Sequence, residues 1–105
     1  MAASVRAVIL LALAPTCAVA SFTSFTSGAS CEANGAGSIT TLADCSAAAA
    51  ALGLSDTTAT DDLRDGSRNF PTYCYFTAKF GGVKFNSAGT NLGGCGVYDT
   101  CICWV

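Results

Sequence analysis

The stretch that decides the fold reads TYCYFTAKFGGVKFN, residues 72–86. Cys74, Phe76, Ala78 and Phe80 alternate with Tyr73, Tyr75, Thr77 and Lys79, the period of a strand buried on one face. Gly81-Gly82 interrupts the run, and Val83, Lys84, Phe85 and Asn86 resume it. The pattern predicts a β-hairpin over 73–86. A two-residue turn at Gly81-Gly82 pairs Phe80 with Val83 and Ala78 with Phe85, so the apolar side chains share a face. The same register opposes Lys79 to Lys84, which reads as two lysines guarding an exposed strand or as an anion-binding spot.

Upstream, residues 42–52 read as a helix. Thr41 is a capping residue and Asp44 places a carboxylate in the first turn, near the positive end of the helix dipole. Ala47 to Ala51 favour helix, and Gly53 stands where a left-handed stop is wanted. Leu42, Cys45, Ala48 or Ala49, and Leu52 recur at helical spacing, so one face turns inward with a cysteine on it. Ser38-Ile39-Thr40 reads as a short strand. Downstream, Ser87 to Gly96 is a Gly/Asn/Ser/Thr loop, and a closing strand is expected near 97–104. Cys101 and Cys103 are two apart, hence on one face of that strand. The expected fold is α+β: a small disulfide-rich domain with one helix packed on a short antiparallel sheet.

The chain has 105 residues, seven cysteines and no histidine, and 11% of it is charged. That length predicts one domain. Residues 1–20 have the layout of a cleaved signal peptide, with Arg6, an apolar run to Ala14, a break at Pro15, and Ala18-Val19-Ala20 before the cut. The run is too short to span a bilayer, so no membrane span is expected after cleavage. Residues 21–30, SFTSFTSGAS, read as a flexible lead-in that permits O-linked sugars, and residues 31–105 as the cysteine-rich domain.

Cys17 leaves with the signal. Cys31, Cys45, Cys74, Cys95, Cys101 and Cys103 remain, an even set that reads as a disulfide framework in a secreted chain. Many pairings are open to six cysteines. The preferred one joins helix to hairpin through Cys45–Cys74, ties the ends through Cys31–Cys103, and closes a short loop through Cys95–Cys101. With no histidine and no Cys-x-x-Cys pair, zinc is not expected. Asp61, Asp65 and Gly66 match offsets 1, 5 and 6 of a calcium loop, but Leu63 and Thr72 stand where oxygen ligands are needed. Neither metal nor cofactor is predicted.

Loss of Arg6 makes the formal net charge of −2 one unit more negative, which disfavours nucleic acid as a partner. Oxidised cysteines, no histidine, and carboxylates gathered in the polar stretch 54–69 leave no catalytic constellation, so an enzyme is not expected.

In order, the chain shows Asp44-Cys45-Ser46-Ala47-Ala48, then Tyr73-Cys74-Tyr75-Phe76, Phe85-Asn86, a Ser/Gly loop, and Cys101-Ile102-Cys103. This resembles the small cysteine-rich extracellular modules of algal and other protist secreted and cell-surface proteins, over most of residues 31–103. Thr72-Tyr73 replaces their Pro-Gly-like approach to the middle cysteine. The resemblance implies an extracellular location and a bridged α+β fold. A looser architectural likeness to PAN/apple and WSC-type domains implies recognition of protein or sugar.

The function expected on these grounds is a secreted, non-catalytic recognition module for a glycan or protein of the cell wall or matrix. Tyr73, Tyr75 and Trp104 are the candidate stacking residues, with Tyr98 beside them. Lys79, Lys84, Asn86 and Asn91 are the candidate polar contacts. A secreted effector, toxin or inhibitor is the alternative from another class, and a structural matrix component is a third.

Overall fold

The structure, a computed structural model, describes residues 21–105. The signal segment expected at 1–20 lies outside the described residues. Thr41 adopts an extended backbone and its Oγ1 accepts from the Asp44 N–H at 3.1 Å, which satisfies one donor the first helical turn leaves open. Helix α1 then runs Leu42–Ala51. Gly53 ends it at φ 73°, a left-handed backbone that glycine adopts without a Cβ clash. Cys45, Ala48 and Ala49 form the buried face. Methyl-sized side chains there let the helix axis lie close against a sheet.

That sheet contains β1 (Phe22–Phe25), β2 (Gly37–Ser38), β3 (Thr60–Asp61), β4 (Tyr73–Thr77), β5 (Gly82–Asn86) and β6 (Asp99–Trp104). The strand order is β1-β6-β4-β5-β3, with β2 also paired to β6. All pairings are antiparallel except β3 with β5. Alternation divides the side chains between two faces. One packs Cys74, Val83, Phe85 and Ile102 against Cys45, Ala48 and Ala49 of α1, together with Ile39 and Ala59. Full burial of Ile39, Val83 and Ile102 contributes roughly 1.5–3 kcal/mol each. The other face carries Cys101 and Cys103, packed with Cys31 and partly buried Phe25, Ala36 and Cys95.

The three bridges are Cys31–Cys103, Cys45–Cys74 and Cys95–Cys101, the preferred pairing. Cys45–Cys74 fastens α1 to β4. Cys101 and Cys103, on the opposite face, hold two different loops. Among the described residues no helix is long and apolar enough to cross a membrane.

Two expectations are corrected. Residues 22–25 are not part of a flexible lead-in but a strand, with Phe22 opposite Trp104 and Phe25 opposite Cys101. Phenylalanines three apart point to opposite faces of a strand. Phe22 stacks on Trp104 with ring centroids 4.7 Å apart, while Phe25 joins the cysteine cluster. The hairpin register also differs. Phe76 pairs with Val83 and Cys74 with Phe85, leaving Ala78 to Gly81 as a four-residue turn. In the two-residue turn, Phe80 and Val83 face each other across the end of the ladder. Here Asp56 Oδ2 accepts the Val83 N–H at 2.9 Å instead, and the Ala78 N–H donates to the Tyr98 carbonyl at 2.8 Å. The face assignment of the strand residues survives because the slip is even in residues, but Lys79 and Lys84 no longer oppose each other.

Carboxylates tie the connecting segments down. Glu32 is held below its ordinary 4.5 first by the Ser38 hydroxyl. Asp56 lies below 3.8 chiefly through the Val83 N–H, and Asp61 through the Ser87 hydroxyl. A folded pKa below the unfolded one means that the unfolded chain takes up protons first. These contacts therefore stabilise the fold above the ordinary carboxylate values and lose that contribution as pH falls through the folded ones. A urea midpoint lower at about pH 3 than at about pH 6, with a smaller drop in Asp56→Asn, is the expected result. Equal midpoints at both pH values would show that these contacts do not contribute.

Candidate functional site

The sheet face away from α1 is overlaid by connecting segments, which bury Tyr75 and Thr77 and leave Asp99 and Lys84 partly exposed. Tyr75, Thr77 and Asp99 share it, since Tyr75 pairs with Cys101 and Thr77 with Asp99. Three segments meet over it: the connection 62–71, the turn 78–81, and the approach to β6 at Tyr98. Between them lies a cleft of about 710 Å3, lined among others by Arg64, Phe70, Phe80, Tyr98 and Asp99. A second cleft of about 340 Å3 adjoins it, with Tyr75, Thr77, Lys84 and the Asp61-Asp62 pair on its walls. Arg64, Phe70 and Phe80 line both, so the two form one groove.

Phe70 is the wall between them. Its ring centroid lies 5.7 Å from that of Tyr75 and 6.1 Å from that of Phe80, and the Arg64 guanidinium sits 4.2 Å over it, within cation–π range. Gly93 holds this wall in place. Its N–H donates to the Phe70 carbonyl at 2.9 Å, and a Cβ at 93 would meet Phe70 backbone at 2.6–2.7 Å, so only glycine fits there. Phe80 and Tyr98 are 58% and 71% exposed, an unusual outlay of aromatic surface beside a cleft.

Beneath the wall, Asp62 is a hydrogen-bond hub. Its carboxylate accepts from the Tyr75 hydroxyl at 2.8 Å, Asn91 Nδ2 at 3.0 Å, Asn86 Nδ2 at 3.2 Å and the Arg64 N–H at 2.9 Å. Burial, and then the Asp62 bond, push the Tyr75 phenol well above its ordinary value of 10. Tyr75 therefore stays protonated and donates to Asp62. Asn86 and Asn91 are buried and staple the 62–71 connection to the 87–91 loop.

Of the candidate contact residues, Tyr75, Lys79 and Lys84 line the groove, although Tyr75 is only 1% exposed and offers little ring surface. Lys79 lies in the turn, its Nζ 5.8 Å over the Phe80 ring. Lys84 Nζ donates to Thr60 Oγ1 at 3.1 Å. Asn86 and Asn91 are interior scaffold. Trp104 packs on Phe22 and the helix-side core. Tyr73 has φ 60°, which takes it out of strand alternation and packs its ring 6.1 Å from Phe85. The groove residues outside the candidate set include Arg64, Phe70, Thr77, Phe80 and Asp99. Phe80 and Thr77 belong to the alternating hairpin pattern, and Phe70 is legible as an aromatic that follows a polar stretch. Among the described residues no cluster of three or more acidic, cysteine or histidine side chains is placed to hold a metal. Compared with known proteins, the chain matches no family model, no curated protein and no solved structure.

Proposed function

We propose that the chain is a secreted, non-catalytic recognition module that binds an extracellular glycan in the groove formed by the segments that overlie the sheet face away from α1. The observation that carries this reading is the pair of exposed rings, Phe80 and Tyr98, beside a cleft that also presents Arg64, Lys79 and Asp99. Flat rings take the C–H faces of sugars, while charged planar groups exchange hydrogen bonds with hydroxyls. Secretion accords with the signal pattern of residues 1–20 and with six cysteines engaged in bridges. Those bridges leave no thiol among the described residues to serve as a nucleophile.

The test is retention on a glycan array and on insoluble wall polysaccharide, using protein secreted from the full chain. Phe80→Ala combined with Tyr98→Ala should weaken binding by about fivefold or more, at roughly 0.5–1.5 kcal/mol per ring. Both rings are largely exposed, so the melting temperature should hold. Retention of the wild type on no glycan would remove the proposal.

A further inference from the structure

Tyr98, one of the two exposed rings of the groove, sits inside the shortest covalent loop of the protein. The Cys95–Cys101 bridge closes a separation of 6 residues, against 72 and 29 for the other two. Its two ends are held differently. Cys101 is fixed in β6, buried against Cys31 and Cys103. Cys95 lies in the loop before β6, where its N–H donates to the Gly28 carbonyl at 2.8 Å. Between them the chain turns back on itself. The Gly96 N–H donates to the Asp99 carbonyl at 2.9 Å, and the Thr100 hydroxyl to the Gly96 carbonyl at 3.3 Å. Val97 and Tyr98, at the tip of this turn, are 68% and 71% exposed, so side-chain packing does little to hold them. The turn is joined to the other wall of the groove by the Ala78 N–H, which donates to the Tyr98 carbonyl at 2.8 Å. That bond is the rung beyond Thr77 and Asp99, at the end of the β4–β6 ladder, where strands open most easily. It connects the Tyr98 segment to the turn that carries Lys79 and Phe80.

We infer that the Cys95–Cys101 bridge is a positioning element of the groove, and that a dithiol reductant opens it ahead of the other two, loosening the Tyr98 wall while the fold stands. Its bearing on a ligand rests on the glycan reading above. Cys95 is the one cysteine of the six that is not buried, whereas Cys31, Cys45, Cys74, Cys101 and Cys103 are at most 5% exposed. Exchange needs a thiolate to reach a sulfur, so exposed bridges are the labile ones. A reagent thiolate attacks the Cys95 sulfur, the bond to Cys101 breaks, and Cys101 leaves as a thiolate that takes up a proton. The second thiol of the reagent then displaces Cys95. Two electrons have passed: the protein holds two thiols and the reagent has become a cyclic disulfide. Opening the shortest closure forfeits the least chain entropy of the three. Cys31–Cys103 and Cys45–Cys74 still tie the ends together and the helix to the sheet. What goes is the closure of the turn at 96–98, and with it the fixed placement of Tyr98 beside Phe80. A ligand must then order that wall as it binds, which costs affinity.

Limiting dithiothreitol on the oxidised product secreted from the full chain, with iodoacetamide trapping and peptide mapping, reads the order of opening. Alkylation of Cys95 and Cys101 is expected first, with both other bridges intact. In that species the Ala78 and Gly96 amides should exchange several-fold faster, while Tyr75 and Phe76, in mid-ladder, keep their protection and the far-ultraviolet dichroism is unchanged. Retention on the wall polysaccharide that holds the oxidised protein should fall several-fold and return on reoxidation. Cys95→Ala combined with Cys101→Ala should show the same loss without recovery. Another bridge opening first, or exchange quickened evenly across the sheet, overturns the inference. Retention that survives reduction also overturns it and leaves the glycan reading intact. If the oxidised protein is retained on no glycan, that reading alone fails, and the order of reduction and the exchange rates still decide the role of the bridge.

Discussion

Removing the Cys31–Cys103 or the Cys45–Cys74 bridge by paired alanine substitution is expected to lower stability far more than removing Cys95–Cys101. The separations closed are 72, 29 and 6 residues. The chain-entropy relation then assigns about 4, about 3.5 and about 2 kcal/mol. Packing widens the gap. Cys45, Cys74 and Cys103 are at most 1% exposed, so alanine at those sites also leaves a cavity, whereas Cys95 is only half-buried. Small domains have total stabilities of about 5–15 kcal/mol, so loss of either long bridge consumes a large share, and full reduction should unfold the protein. Urea midpoints of the three paired variants read this directly. A Cys95/Cys101 variant less stable than both others would contradict the ordering.

The bridges were also the most legible feature of the sequence. Four of the six cysteines lie on elements whose period is local: Cys45 on a helix capped by Thr41, Cys74 on an alternating strand, Cys101 and Cys103 on one face of another. Helix face and strand face suggest Cys45–Cys74, whereas the partners of Cys31 and Cys95, which lie outside such elements, are fixed only by the fold. The hairpin register was not legible, because the Val83 N–H is taken by Asp56, 27 residues earlier in the chain. No local pattern reports such a competitor. Residues 21–30 misled by composition, since Ser and Thr beside two phenylalanines read as a tether until a partner strand gives each ring a face to bury. The groove was the least legible part. Its walls come from Arg64 and Phe70, from Phe80, and from Tyr98 and Asp99, three segments that only tertiary packing brings together. Asn86 and Asn91, read as surface amides, show the converse: a polar side chain in a polar stretch can be interior once its hydrogen bonds close.

Asn86 carries the second large effect. The side chain is fully buried, and both ends are in use. Its Oδ1 accepts the Thr90 and Asn91 N–H groups at 3.0 Å each. Its Nδ2 donates to Asp62 Oδ1 at 3.2 Å and to the Arg64 carbonyl at 2.9 Å. Asn86→Ala orphans two N–H groups and a carbonyl at once and takes a donor from Asp62. At roughly 1–3 kcal/mol per buried unsatisfied group, partly offset by relaxation of the exposed loop, a loss of about 3–5 kcal/mol is expected. Asn86→Asp separates hydrogen bonding from charge. The two accepted bonds persist, but a carboxylate now faces that of Asp62, and like charges at this distance oppose folding. Protonating the pair relieves the repulsion. The stability deficit of Asn86→Asp should therefore shrink as pH is lowered from 7 toward the carboxylate range near about 4, while the wild type moves the other way through Asp56, Asp61 and Glu32. Because the same amide holds the Arg64 backbone, Asn86→Ala should also loosen the Arg64–Phe70 wall and weaken any ligand of the groove. A deficit independent of pH in Asn86→Asp would place the Asp62 carboxylate outside this network, and a wild-type midpoint in Asn86→Ala would show that the amide holds nothing.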